Sequence, residues 1–395
     1  EEELNFFYQS ILEKTPRYPF VCIYGIGNAL LIKNLAKHYK HLFVFESEIE
    51  LFILALSTID LSEELKVYKV VLFDCVAKDL EIQIAMIFDQ QSILEYLSLY
   101  EMFISSHYYL KYYETSILSL NELCIKSASV AIRNVDITCF LPLLTHGQFL
   151  QNIPSMLESI PFQRILSQRK NKFDNAIVVS AGPSLAKQLP LLKACQDKAV
   201  IFCADGALSM LEKEGIVPDY VTNLDFTDLA MKFFQNKENK TSLNILSCAT
   251  HPNVAHSLKA ENCMIVLRNK ALYQRFNFND FGYIDTGTHV SHFSYTLALA
   301  LGFKNIIMIG QDLAFDEEGN SHSKGFDFGE KFSGEENIDK LKIPAYAGKG
   351  EVLTHTTWND YRIKLEYLFA CNDQKAKFYN ATEGGARINF TEELS

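Results

Sequence analysis

Ser180-Ala181-Gly182-Pro183-Ser184-Leu185 joins an apolar run at residues 176–179 to a stretch with helical character. An apolar strand that passes through a glycine turn into a helix is the repeating unit of a doubly wound α/β sheet. Gly182 allows close approach of the backbone, Pro183 sits where its missing N–H costs little, and Ser184 either caps the helix or bonds a phosphate. We therefore predict a Rossmann-type domain whose first helix start is a candidate anion site.

Other apolar runs downstream also end in small or acidic residues. Such ends are Asp205-Gly206 after residues 199–204, Asp225 after residues 220–224, and Gly310-Gln311-Asp312 after residues 305–309. In an open α/β sheet the ligand binds at the carboxyl ends of the strands. Side chains there either hold the ribose and base of a nucleotide or cap the following helices, and the repetition of the pattern favours a nucleotide site.

A second candidate anion site precedes the apolar helix predicted at residues 290–301. Thr286-Gly287-Thr288 lies just before that helix, and Ser291 lies in its first turn. Backbone N–H groups at a helix start attract phosphates and carboxylates. This stretch therefore predicts a contact with an anionic group of the ligand.

Two histidines in predicted loops are candidate general bases. His322 follows the strand predicted at residues 305–309, and His355 precedes the helix predicted at residues 358–369. The pKa of an unperturbed histidine lies near neutrality, as general-base catalysis requires. A surface position without a catalytic role is an equal alternative for each of them.

The N-terminal part repeats the strand, glycine turn and helix pattern. Residues 20–24 lead into Gly25-Ile26-Gly27, and the next predicted strand ends in Glu46. Only two of the three glycines of a dinucleotide site are present, so a scaffold domain without a ligand is favoured.

The basic stretch at residues 163–172 marks the predicted domain boundary, after a helical linker. We expect a mixed α/β protein with an N-terminal Rossmann-like domain and its linker at residues 1–165. A second Rossmann-type α/β domain is expected at residues 166–395.

The composition is that of an ordinary globular protein, since 48% of the 395 residues are hydrophobic and 22% are charged. A formal net charge of −11 argues against general binding of nucleic acid or of an anionic membrane. Nine cysteines without a Cys-x-x-Cys pair predict reduced thiols in a cytoplasmic protein and no zinc site. No apolar run reaches the length of a membrane helix.

Four stretches resemble the motility-associated factor (Maf) proteins, which are bacterial flagellin glycosyltransferases. They are residues 178–185, 204–207, 300–315 and 380–388, and they occur in the family's order. The most specific of them is Gly310-Gln311-Asp312-Leu313-Ala314-Phe315. The resemblance implies a central glycosyltransferase domain and a C-terminal helical domain, which we expect to be missing or truncated in this chain.

The same central segment is more distantly similar to bacterial sialyltransferases. In those enzymes a Gly-Pro-Ser-Leu turn, matched here by Gly182-Pro183-Ser184-Leu185, helps to bind CMP. Their catalytic histidine corresponds to His355 by its order in the chain. A Thr-His pair of Maf-like sequences resembles Ser321-His322 instead, so both histidines remain candidates.

The resemblance implies transfer of a nonulosonic acid, pseudaminic acid above all, from a CMP-activated donor to a serine or threonine of flagellin. His322 or His355 would be the base, and no metal or other cofactor is expected because CMP is a good leaving group. The residues expected to bind the nucleotide sugar are Gly182, Pro183, Ser184, Asp205, Gly206, Asp225, Thr286, Gly287, Thr288, Ser291, Gly310, Gln311 and Asp312.

Two alternatives stay open at this point. Maf-like domains also resemble archaeal pterin diphosphokinases, which would make the chain an ATP-dependent enzyme that needs magnesium. A flagellin-binding module without catalytic activity is the other alternative. The sequence does not identify the nonulosonic acid, the flagellin residue that is modified or the oligomeric state.

Overall fold

Strands and helices alternate along most of the chain. The computed structural model describes residues 2–134, 140–234, 242–269, 271–332 and 340–394. Contacts divide the chain into two units, Glu1–Ile137 and Thr138–Ser395. This division falls ahead of the basic stretch at residues 163–172, because apolar side chains of the two helices before and within that stretch belong to the cores of the second unit.

The strands, in chain order, are β1 Phe20–Tyr24, β2 His41–Glu46, β3 Val70–Asp74, β4 Met102–Ile104, β5 Asn175–Val179, β6 Val200–Ala204, β7 Tyr220–Asn223, β8 Leu243–Ser247, β9 Cys263–Arg268, β10 Tyr283–Ile284, β11 Asn305–Ile309, β12 Lys340–Pro344, β13 Glu351–His355, β14 Lys377–Asn380 and β15 Glu392–Glu393.

The helices are α1 Glu2–Lys14, α2 Leu30–Leu35, α3 Ile49–Thr58, α4 Ser62–Lys66, α5 Leu80–Phe88, α6 Gln91–Leu94, α7 His107–Tyr112, α8 Glu114–Asn134, α9 Phe140–Glu158, α10 Phe162–Arg169, α11 Leu185–Cys195, α12 Leu208–Lys213, α13 Met231–Phe234, α14 Pro252–Ser257, α15 Ala271–Gln274, α16 Val290–Leu301 and α17 Thr356–Ala370.

The first unit contains a parallel sheet of four strands in the order β3-β2-β1-β4. Strand β1 is buried along its whole length, as a central strand covered by helices on both faces must be. Strand β4 lies inside residues 92–135, which the sequence predicted to be mostly helical. Three residues are too few for a strand to give a recognisable periodic pattern.

The second unit contains a parallel sheet of nine strands in the order β10-β9-β8-β7-β6-β5-β11-β14-β15. From β5 the chain adds strands on one side as far as β10, and then returns to add β11 on the other side of β5. The order of the strands therefore reverses between β5 and β11. In doubly wound sheets the ligand binds at such a switch point, outside the carboxyl ends of the two strands.

Alternate residues of β5 face opposite sides of this sheet. Ala176 and Val178 belong to a core that includes α16 and α17, whereas Ile177 and Val179 pack with α11 and α12. Helices on both faces explain why the strand is an uninterrupted apolar run. The sequence prediction of a mixed α/β protein with a Rossmann-type sheet is therefore confirmed.

Helix α16 begins and ends at the residues that the sequence predicted. It is apolar on most sides and largely buried, and Gly302 ends it in the left-handed region with φ 82°. Strands β12 and β13 form a separate antiparallel pair. His355, which the sequence placed in a loop, is the last residue of β13.

None of the helices in the described ranges combines the length and apolar character that crossing a membrane requires. The cysteines in those ranges, which leave out Cys139, are free thiols.

Candidate active site

Strands β5 and β11 end side by side at the switch point. The N–H of Ser180 donates to Ile309 O at 3.0 Å, and the N–H of Gly182 donates to Gly310 O at 2.8 Å. Gly310 has φ 63°, and a Cβ there would lie 2.1 Å from Ser180 O. Only glycine allows this approach, so the predicted glycine turns are what bring the two strand ends together.

Asp312 lies at the centre of this junction and is 4% exposed. Its carboxylate accepts the N–H of Ser184 at 3.2 Å and the Ser184 hydroxyl at 2.7 Å. A Cβ on Gly182 would lie 2.1 Å from Asp312 Oδ2, and a Cβ on Gly385 would lie 2.4 Å from Asp312 Cα. Burial raises the pKa of Asp312 to about 6, although the Ser184 hydrogen bonds act in the opposite direction.

The start of α11 is therefore arranged differently from the sequence prediction. We expected the N–H groups at Ser184 to receive a phosphate, but that N–H is hydrogen-bonded to Asp312. The N–H of Ala186 is similarly bonded to Ser323 Oγ at 3.1 Å. Pro183 and Ser184 line a neighbouring cavity and not the one enclosed by the strand ends.

A cavity of about 280 Å³ lies at the carboxyl ends of β5, β6, β7 and β11, and we call it the switch-point cavity. It brings together eight of the thirteen residues that the sequence assigned to the nucleotide sugar, together with one of the two histidines. These lining residues are Gly182, Asp205, Gly206, Asp225, Ser291, Gly310, Gln311, Asp312 and His322.

The two aspartates at the ends of β6 and β7 lie on one side of the switch-point cavity. Asp205 accepts hydrogen bonds from Gly206 N and from the side-chain amide of Asn223. Asp225 accepts the N–H of Thr227 at 2.8 Å and its hydroxyl at 2.9 Å. Each carboxylate has more than one acceptor site, so both can bond hydroxyl or amino groups of a ligand while they hold their own turns.

The N-terminus of α16 reaches the cavity through His289, Val290 and Ser291. The His289 ring caps the helix by accepting the N–H of His292 at 3.3 Å. Burial lowers the pKa of His289 well below its usual range, and it lowers that of His292 to about 4. Both rings are therefore neutral near pH 7. No lysine or arginine is found among the described residues that line this cavity, so the α16 helix dipole is its main attraction for an anion.

Thr286, Gly287 and Thr288 line neither this cavity nor the neighbouring one. Gly287 donates its N–H to Asp285 Oδ1 at 2.9 Å, and a Cβ on it would lie 2.3 Å from the His292 ring. This turn therefore packs tightly against the first turn of α16. Of the residues around the start of α16, it is His289, Val290 and Ser291 that line the switch-point cavity.

His322 lines the switch-point cavity, and its neighbours fix its tautomer. Its ring is stacked on Phe326, with centroids 3.9 Å apart and planes inclined by 6°. The Ser321 hydroxyl lies 3.0 Å from Nδ1 and within reach of the carbonyls of Glu330 and Phe332. When the hydroxyl donates its single proton to one of these carbonyls, it accepts a hydrogen bond from Nδ1, and this arrangement favours the tautomer in which Nδ1 carries the proton. Burial lowers the pKa of His322 to about 4, which leaves Nε2 with its lone pair at neutral pH.

His355 lies elsewhere. It is 2% exposed, it precedes the first turn of α17, and its ring packs 4.1 Å from that of Trp358. It lines neither of the two cavities, whereas Trp358 itself lines the switch-point cavity. Of the two histidines, His322 is the one placed to reach a ligand. The sequence did not indicate the part of Trp358 or of Tyr361, because an aromatic residue on an amphipathic helix is usually core.

In the first unit, side chains of the protein itself occupy the space beside the glycine turn Gly25-Ile26-Gly27. The Glu46 carboxylate accepts the N–H groups of Ile26, Ser47 and Glu48 at 2.8–2.9 Å and the Tyr109 hydroxyl at 2.6 Å. A Cβ on Gly25 would lie 2.2 Å from the Tyr109 ring. The acidic residue and the turn that hold a dinucleotide in related folds are occupied here by internal contacts.

Within the described ranges, no group of three or more histidine, cysteine, aspartate or glutamate side chains is arranged to hold a metal ion. Asp225 and Asp228, which loosely match an Asp-x-Asp pattern, belong to no such group.

Comparison with known proteins finds a matching family model and similar solved structures. A family model described as 6-hydroxymethylpterin diphosphokinase MptE-like matches residues 147–318, a range that holds the strand ends of β5, β6, β7 and β11. Among solved structures, the chain is similar to a MAf glycosyltransferase from Magnetospirillum magneticum AMB-1, with a TM-score of 0.57 and 17% sequence identity. The likeness covers 100% of this chain and 62% of the other, and it shows a shared fold. None of the curated proteins matches.

Proposed function

We propose that this chain is the donor-binding and catalytic part of a Maf-type glycosyltransferase. It would move a nonulosonic acid, such as pseudaminic acid, from a CMP-activated donor to a serine or threonine of flagellin. The observation that carries the proposal is the switch-point cavity, where Asp205, Asp225 and His322 line one space beside the α16 N-terminus. The shared fold with a solved MAf glycosyltransferase supports it.

In this proposal the nucleotide binds in the switch-point cavity. Asp205 and Asp225 accept hydrogen bonds from the ribose hydroxyls or from the amino group of the base. The phosphate lies at the start of α16, near Ser291, where the positive end of the helix dipole compensates for the absence of lysine and arginine in the lining. This placement replaces the Ser184 amide with residues 289–291 as the phosphate-binding element.

The chemical step would be a single displacement at the anomeric carbon. The acceptor hydroxyl forms the new C–O bond, and its proton passes to Nε2 of His322. The bond between the anomeric carbon and the phosphate oxygen breaks, and its electron pair leaves with CMP. His322 is neutral at pH 7 and can accept this proton, but its pKa of about 4 makes it a weaker base than an unperturbed histidine. The step therefore depends strongly on the good leaving group and on the α16 dipole, which stabilises the charge that develops on the leaving phosphate.

A thermal-shift experiment on the whole chain tests the proposal, with CMP, with ATP plus magnesium and without ligand. CMP should stabilise the protein without a metal ion, by about 2.7 kcal/mol at 100 times its dissociation constant. Asp225→Ala should weaken this effect, whereas Asp174→Ala, at an exposed aspartate of the same unit outside both cavities, should not. No response to CMP in the wild-type protein would refute the assignment.

The family model favours a second candidate, an ATP-dependent pterin diphosphokinase. Such an enzyme would transfer a diphosphoryl group from ATP to a hydroxyl group of its substrate and release AMP, and magnesium bound with the nucleotide would offset the charge of its phosphates. Stabilisation by ATP plus magnesium, without any by CMP, would identify this alternative. Transfer itself is then tested with CMP-pseudaminic acid and purified flagellin, and a mass increase of the flagellin equal to one nonulosonic acid residue is the expected result.

A further inference from the structure

A second and larger cavity lies next to the switch-point cavity, within the same unit. It has a volume of about 940 Å³, against about 280 Å³ for the first. The two cavities share Asp312 and His322 in their linings. His322, the proposed base at the donor site, therefore also borders a second space, which the nucleotide would not occupy.

The second cavity has both apolar and charged walls. Phe315, Val352 and Leu353 supply apolar surface, and Gly384 and Gly385 contribute half-buried backbone without side chains. These are the contacts that an extended polypeptide uses, because its backbone needs close approach and its side chains need apolar surface. The cavity is too large for a hydroxyl group or a single small ligand to fill.

The charges of the lining argue against an anionic acceptor. Apart from Asp312, six carboxylates and four lysines line the second cavity. The ammonium group of one of these lysines, Lys340, lies 4.8 Å from the centre of the Phe315 ring, where the aromatic face already attracts it. An excess of carboxylates repels a phosphate-bearing lipid or a nucleic acid and favours a neutral or basic chain.

We propose that this second cavity is the acceptor cleft, through which a neutral or basic polypeptide segment brings its serine or threonine hydroxyl to His322. The inference rests on the proposed transferase function and adds where the acceptor binds and what charge it carries. In this proposal the donor reaches His322 from the switch-point cavity and the acceptor reaches it from the second cavity. Such an arrangement suits an in-line displacement, since nucleophile and leaving group must lie on opposite sides of the anomeric carbon.

Charge reversal on the walls of the cleft tests the inference. The variant Glu351→Lys/Glu383→Lys changes two exposed glutamates of the lining. The control Glu214→Lys/Glu261→Lys makes the same change in net charge at two exposed glutamates outside both cavities. Each protein is titrated, with CMP present, with a short fluorescent Ser/Thr/Gly/Ala peptide in uncharged, lysine-tagged and glutamate-tagged versions.

The wild-type protein and the control should bind the lysine-tagged peptide about tenfold more tightly than the glutamate-tagged one. The cleft variant should lose or invert this preference while it keeps its stabilisation by CMP. An unchanged preference in the cleft variant, or no binding of any peptide by a protein that binds CMP, would overturn the acceptor cleft and leave the donor site standing. Failure of CMP to bind would overturn both proposals together.

Discussion

The carboxylate of Asp312 lies 2.7 Å from the hydroxyl of Ser184, although the two residues are 128 positions apart in the chain. Through this contact the Asp312 carboxylate, which follows β11, places an internal negative charge at the start of α11. A helix start that resembles a phosphate site in sequence is thereby satisfied by the protein. Burial at this junction raises the pKa of Asp312 to about 6, which makes it a titrating group inside the core.

Titration of Asp312 should make stability depend on pH. Its folded pKa of about 6 lies above its ordinary value of 3.8, so between these values the folded chain holds a proton that the unfolded chain has released. The stabilisation that this proton gives the folded chain is complete below pH 3.8 and is lost as the pH rises through 6. The loss in the free energy of unfolding is of order 3 kcal/mol. Urea unfolding of the wild-type protein and of Asp312→Asn from pH 4 to pH 7 should give curves whose difference changes in this window. Parallel curves would contradict it.

Substitution of the two histidines should have different effects. His322→Gln should lower the rate of transfer by about 10²–10⁴-fold while CMP still binds, because Nε2 of His322 is the proposed base. His355→Gln should lower stability and leave the transfer rate within a few-fold, because His355 lines neither cavity. Single-turnover rates and CMP-dependent melting temperatures of both variants test these two expectations. Equal loss of transfer in the two variants would argue against a specific role for His322.

The pH profile of transfer should identify the base independently. Burial lowers the pKa of His322 from 6.5 to about 4, so its neutral, active form is complete well below pH 6. The acid limb of kcat/KM that belongs to this residue should therefore fall near pH 4. An NMR titration of the His322 ring should show the same midpoint, and a midpoint near 6.5 would mean that the ring is more accessible to water than the structure indicates.

Substitution by alanine should affect stability differently at two glycines on the walls of the cavities. A Cβ on Gly182 would lie 2.5 Å from Gly310 O, so Gly182→Ala should cost roughly 1–3 kcal/mol and weaken CMP binding. A Cβ on Gly384 would lie 3.5 Å from Asp312 Oδ1, which is an ordinary contact, so Gly384→Ala should fold with nearly wild-type stability. Chemical unfolding measures both, and equal stabilities would show that the junction of β5 and β11 is looser than described.

Removal of the Glu46 carboxylate should destabilise the first unit without affecting the second. Glu46→Ala leaves three N–H groups and the Tyr109 hydroxyl without their acceptor, at a cost of roughly 1–3 kcal/mol for each group that water does not reach. The affinity for CMP should remain that of the wild type. A fall in CMP affinity would mean that the first unit takes part in nucleotide binding.

Much of the second sheet could be predicted from the sequence, because its strands are apolar runs bounded by glycine and aspartate. The predicted ends of β11 and α16 coincide with the structure. Strands β12 and β13 were not predicted, since a half-exposed pair with several lysines and glutamates lacks an apolar run. Short strands such as β4 and β10 carry too few residues for a pattern.

The site could be predicted in part. The predicted strand-end residues Asp205, Asp225 and Asp312 line one cavity, because topology alone brings the strand ends together. The functions of the helix starts depend on long-range partners, such as Asp312 for Ser184 and Ser323 for Ala186, and local sequence does not record these partners. The same holds for His322 and His355, since burial and tautomer follow from neighbours in space.

The order of the strands also determines when this protein becomes able to bind its ligand during synthesis. The switch-point cavity needs β11, which pairs with β5 only after the intervening strands have left the ribosome. Asp312 is then held from the other side by Gly385, close to the end of the chain described here. A nascent chain that ends before β11 would contain the sheet from β5 to β10 with β5 as a second edge strand beside β10, and an unpaired edge of this kind favours aggregation until β11 covers it.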